Sequence, residues 1–403
     1  MDIDPVEIGM ALSSIPLFRE LQRLLMSQSG PVNWEIAGQI STAVAQMRGS
    51  GDRPGPEERA EFEEACRLAE MRVGQLTGLE SPGSITKVEV VDRVEWAQAN
   101  LEAIRPFMER LSAGLGGALS GGLGNLGALG GMGGMSGSDL SGSEEEAAAV
   151  PMSAALGMLG PLIFGLEVGF LMGFLSRRVL GQYDLCLPRG DVSRLYFVYP
   201  NIAEAQASLE LDSRQFRMWL ALHEVTHQLE FSSIPWVRSH FTELVERFID
   251  AAEIDSGEAM SRLQSLGDPE QLSHLMSHPE ELLPMLITPP QQEVARQIET
   301  LMALLEGYTE WVMDQVGSEL LPEFSKIREG LNRRKAERSS VERLLEGLLG
   351  IDLKPAEYRQ GERFVRAVAG AGQLSKLWES SASLPTPDEL GEPTKWLSRV
   401  AFS

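Results

Sequence analysis

Apolar residues recur at steps of three and four along most of this 403-residue chain, a period that commits the backbone to helices. Phe62, Cys66, Ala69, Val73 and Leu76 form one such stripe, and Val94, Ala97, Leu101, Ile104 and Met108 form a second. Residues 1–112 therefore read as an N-terminal helical bundle, broken between Gly49 and Pro56. Only Gln182 to Pro188 and Arg194 to Pro200 read as strands; the second is dense in aromatic and branched residues, and Arg189-Gly190-Asp191 supplies the turn between them. Downstream the helical period resumes, punctuated by Pro235, Pro284, Pro289-Pro290 and Gly317. The expected fold is mainly α with a minimal two-strand β element.

Residues 113–146 interrupt this pattern with glycine and scattered Leu, Met and Ser. Ordering such a stretch costs much backbone entropy, so it reads as a flexible loop or linker. From Ala147 to Ser176 the chain is apolar apart from Glu167. Prolines 151 and 161, repeated glycines and that carboxylate favour a buried helix over a membrane span. Gly165, Gly169 and Gly173 would let another helix approach one face closely.

Charge narrows the partners. Acidic residues outnumber basic ones 58 to 35, and a net charge of −23 repels phosphate backbones and anionic lipid. Nucleic acid and membrane surfaces are therefore not expected partners. Two cysteines, Cys66 and Cys186, make neither a disulfide framework nor a thiolate metal cluster and suit a reducing cytoplasm. The acidic start Met1-Asp2-Ile3-Asp4 lacks the positive charge of a secretion signal, and a cytoplasmic location is expected.

One motif carries chemistry. His223-Glu224-Val225-Thr226-His227 is H-E-x-x-H on a helix that Asp212 or Ser213 can cap and that runs to about Leu229. Positions i and i+4 share a helix face, so both imidazoles can reach one ion. Zinc suits nitrogen and carboxylate ligands with one place left open. Glu224, beside the metal rather than on it, is placed to take a proton from an attacking water and return it to a leaving amine. In a chain with five histidines an accidental match arises on the order of once per hundred such sequences, so a third ligand matters.

Glu306 is the candidate third ligand. Val294, Ile298, Leu301, Leu305, Tyr308 and Val312 mark a helix from near Pro290 to before Gly317, and Glu306 lies beside that stripe, an expensive place for a carboxylate without a partner. Glu310 and Asp314, one and two turns on, could accept a proton from a ligating imidazole's other nitrogen. Tyr308 and His240 are candidates to stabilise a transition state. His274 and His278 lack ligand spacing, and Arg177 and Arg178 could pair with a substrate carboxylate or with Glu167.

The string Glu306-Gly307-Tyr308-Thr309-Glu310-Trp311 resembles the zinc-ligating segment of gluzincin peptidases, whose first Glu binds the metal. Other stretches resemble a bacterial family of uncharacterised zincin-like hydrolases, whose name records an association with biosynthesis of the deazaflavin coenzyme. They include Gly30 to Trp34, Leu175 to Asp184, Pro200-Asn201-Ile202, Pro235-Trp236, Val312-Met313-Asp314 and Tyr358 to Gly361. Tyr308 stands where many of those relatives carry His. The resemblance implies a zincin-like helical fold centred on the H-E-x-x-H helix, with residues 147–403 as a metal-binding domain, separate from residues 1–112 or sharing one core with them. The expected activity is zinc-dependent cleavage of a peptide or small amide. The alternative is a zincin-shaped binding or scaffold protein whose metal is structural or absent.

Overall fold

The computed structural model describes residues 32–47, 53–81, 87–110, 152–183, 194–251, 288–336 and 355–401. The Gly-rich segment 113–146, Cys186, His274 and His278 lie outside the described residues. In chain order the first elements are α1 (Trp34–Ala45), α2 (Pro56–Thr77), β1 (Lys87–Val91), α3 (93–110) and α4 (Met152–Leu175). Next come β2 (Gly181–Tyr183), β3 (Arg194–Val198), α5 (Tyr199–Ser208), α6 (Ser213–Ser233) and α7 (Pro235–Asp250). The C-terminal part adds α8 (Pro289–Val312), α9 (Phe324–Ala336) and α10 (Pro355–Gly370), followed by shorter helices that end at Ala401.

The fold is mainly α, as the period of the sequence requires, with one small sheet. That sheet has three strands rather than two, in the order β1-β3-β2. The additional strand, Lys87-Val88-Glu89-Val90-Val91, lies within the segment expected to be wholly helical and pairs in parallel with β3, Lys87 opposite Arg194. Its ladder partner is over a hundred residues away, so no local turn signal announces it. The strand expected from Gln182 is described only as Gly181–Tyr183, antiparallel to β3 at the sheet edge.

One large core joins α2 to the C-terminal helices. Phe62, Cys66, Ala69 and Val73 of α2 bury their stripe among residues of β3, α6 and α8, and the Phe62 ring stacks on Phe197 at 4.4 Å. The stripe's last member, Leu76, stays exposed. A smaller cluster holds α1, α3 and α4 together through Ala37, Leu101, Val168 and Met172. There α1 lies directly against the glycine stripe of α4: a Cβ added at Gly165 would stand 2.5 Å from the Asn33 carbonyl oxygen. The outer face of α4 exposes Leu166 and Phe170, so this helix is half buried rather than enclosed. No helix among the described residues is long and apolar enough to cross a membrane.

Candidate metal centre

Helix α6 begins where the Asp212 carboxylate accepts the Gln215 amide, and it continues to Ser233, a turn beyond the expected end. Its middle is buried almost all round, because α2, the sheet, α7 and α8 surround it. His223 and His227 sit one turn apart, ring centroids 4.9 Å and planes perpendicular. Trp219, a turn earlier, stacks parallel on His223 at 5.6 Å and limits that ring to one plane.

Helix α8 starts at a reciprocal cap, Thr288 with Gln291, and brings Glu306 to the same point. One ligand atom from each of His223, His227 and Glu306 lies within 4.8 Å of the others. His227 Nε2 and Glu306 Oε1 are 3.6 Å apart, too far for a good hydrogen bond. Two donors bound tetrahedrally to zinc at about 2.1 Å stand roughly 3.4 Å from one another, so the spacing and the N, N, O donor set fit a divalent cation.

The far side of His227 is equally determined. Its Nδ1 lies 2.8 Å from Glu230 Oε2 and 3.3 Å from Thr309 Oγ1, which leaves Nε2 facing Glu306. Burial pushes the Glu230 carboxyl up to about 7, against the lowering effect of its imidazole partner. Burial alone would lower the His227 pKa, but the hydrogen bond to Glu230 and the neighbouring negative charge of Glu306 outweigh that, and the imidazole is held well above its ordinary range. A cation between His227 and Glu306 would take the place of that proton and leave Nδ1–H to donate to Glu230.

Glu224 lies one residue beyond His223, 7% exposed, and its Oε2 accepts the backbone N–H of Tyr183 on β2 at 3.0 Å. The structure thus brings one ligand atom each from His223, His227 and Glu306 together, with Glu224 next to His223 on α6, and the other expected residues have different partners. Glu310 is 3.4 Å from Arg328, and Asp314 pairs with Arg328 and Arg366. Arginines of α9 and α10 hold these two acids, and the carboxylate at the imidazole's outer nitrogen is Glu230. Tyr308, 2% exposed, packs its ring against Trp311 and Trp378, and burial raises its hydroxyl pKa. His240 rests on Trp236 of its own helix, and burial lowers its pKa.

Sequence reasoning gave no role at the site to Glu230, Thr309, Trp219 or Tyr183, although it expected the strand on which Tyr183 lies. Glu230 had a visible signal: it is an acid between Leu229 and Phe231, three residues after His227, on a helix whose neighbours are buried. Thr309 and Tyr183 had none, since only the crossing of elements brings them in.

The pattern of the zincin-like metallopeptidases matches residues 32–397. A crystal structure from Chloroflexus aurantiacus, described as a "putative hydrolase with a novel fold", is 30% identical and superposes with a TM-score of 0.62 over 92% of this chain and 99% of its own. No curated protein matches the chain. With nearly its whole length matched, the chain belongs to the zincin-like metallopeptidase family, a family whose name implies a metal.

Proposed function

We propose that this protein is a zinc-dependent hydrolase that cleaves a peptide or small amide bond, with His223, His227 and Glu306 as ligands and Glu224 as general base. The observation that carries the reading is the convergence of two imidazoles from α6 and one carboxylate from α8 within 4.8 Å. A zinc ion bound there supplies Lewis acidity toward a carbonyl and makes a coordinated water easier to deprotonate.

The chain's own groups supply the rest. Glu224 takes the proton of the attacking water and passes it to the leaving amine, which needs a carboxylate held beside the metal but not on it. Its bond to the Tyr183 amide uses part of its accepting capacity and leaves lone pairs for that proton. Glu230 and Thr309 keep His227 in one tautomer and one orientation. The enclosing core keeps bulk water from the inner side of the site, so charge changing hands there is weakly screened.

Elemental analysis of purified protein tests the ligand set. Zinc is expected in wild type and in Glu224→Gln, and much less in His223→Ala. A peptide mixture digested by wild type and left intact by Glu224→Gln completes the case. A wild-type protein that binds no zinc, or a Glu224→Gln variant that still digests peptides, would refute it.

A further inference from the structure

We propose that strand β2 is a seat for the general base, in which Gly181 and the backbone amide of Tyr183 are positioning groups for the Glu224 carboxylate; this rests on the reading of Glu224 as base. Two contacts make the seat. The Tyr183 N–H donates to Glu224 Oε2 at 3.0 Å. Two residues earlier, a Cβ placed on Gly181 would stand 2.7 Å from both Cγ and Oε1 of Glu224 and 2.9 Å from its Cδ, closer than real Cβ atoms come. Gly181 does not have a positive φ, unlike Gly78 and Gly372, so its backbone conformation is open to other residues. What the position requires is the missing side chain. The carboxylate lies where that side chain would be.

The strand is itself anchored, which a seat must be. Its inner edge pairs with β3, Gly181 opposite Phe197 and Tyr183 opposite Leu195, and the Val198 amide donates to Leu180 O at 2.9 Å. The Gln182 side-chain Nε2 donates to Asn100 Oδ1 at 3.0 Å, and Arg238 of α7 donates to the Tyr183 hydroxyl at 2.5 Å. Tyr183 is 1% exposed, so the residue that holds the base cannot drift. A glutamate has three side-chain torsions and much rotamer entropy, whereas proton transfer needs its oxygen held within about 0.5 Å. Backbone on one side and a side-chain-free position on the other restrict it.

The test compares wild type, Gly181→Ala, Glu224→Ala and the double variant. Hydrogen exchange of the Tyr183 amide is expected to speed by about tenfold or more in both single variants, with the double variant no faster than either. Zinc content should be unchanged in Gly181→Ala, while its kcat on a fluorogenic peptide mixture falls by about tenfold or more at constant KM. Tyr183 exchange unchanged in Gly181→Ala, or additive effects in the double variant, overturns the seat. A wild type that exchanges as expected but neither holds zinc nor cleaves the mixture overturns the general-base reading, and the positioning role with it. If Gly181→Ala does not fold, the shorter acid of Glu224→Asp should restore folding by making room; absence of that rescue overturns the seat.

Discussion

Glu230 shows how one side chain sets the chemistry of another. A carboxylate without solvent contact, 2.8 Å from an imidazole nitrogen, fixes which face of His227 is offered to a metal. Truncating it as Glu230→Ala is expected to weaken zinc binding by about 10–100-fold, measured by competition with a chelating dye. The pair also sets a pH dependence. Because burial raises the Glu230 carboxyl from 4.5 to about 7, the folded metal-free chain keeps a proton there that the unfolded chain has released. Stability of the metal-free protein is therefore expected to fall as pH climbs through that window. The raised His227 pKa extends the same trend upward, its stabilisation being complete below the ordinary 6.5 and lost as pH rises through the folded value. Zinc must displace these protons, so apparent affinity should move the other way, up to roughly tenfold per pH unit for each proton released. Thermal melts with and without zinc between pH 5 and 8 check both signs, and a zinc-induced rise in Tm that does not grow with pH would contradict them.

Among the elements, the crossing of α8 and α10 determines how deep Glu306 sits. Gly307, the next residue, has the Gly361 backbone where its Cβ would be, and a Cβ at Gly361 would collide with the Ala303 carbonyl oxygen. Two helix backbones touch here, one residue from a proposed ligand. Gly361→Ala is expected to cost about 1–3 kcal/mol by overpacking, seen as a lower Tm, and to reduce zinc affinity although residue 361 is not itself a proposed ligand. A variant as stable and as zinc-avid as wild type would show that the crossing has slack. The three-four spacing of apolar residues made α2, α6 and α8 legible, because amphipathic helices bury a stripe whatever their partner. It did not reveal β1: a five-residue parallel strand depends on a ladder formed with Arg194–Val198, which no local pattern encodes.

For the whole molecule, the N-terminal segment and the metal centre depend on each other. Phe62, Cys66 and Val73 complete the core under α6, Phe62 stacks on Phe197, and β1 pairs with β3 next to the strand that holds Glu224. A fragment of residues 147–403 is therefore expected to lack a cooperative thermal transition, and adding residues 1–112 in trans should restore one. Circular dichroism melts decide this; a fragment that melts as sharply as the full chain would make the N-terminal part dispensable.

The sequence by itself determined the helical class, the H-E-x-x-H turn, and Glu306 as the remote acid beside an apolar stripe. These depend on periodicity and on spacing within single helices, which are local properties. Tertiary structure alone decided that Glu230 and Thr309 orient His227, that arginines occupy Glu310 and Asp314, and that β2 grips Glu224. Each is a contact between elements, or a choice among several nearby carboxylates, and such choices are made by how buried surfaces pack rather than by residue type.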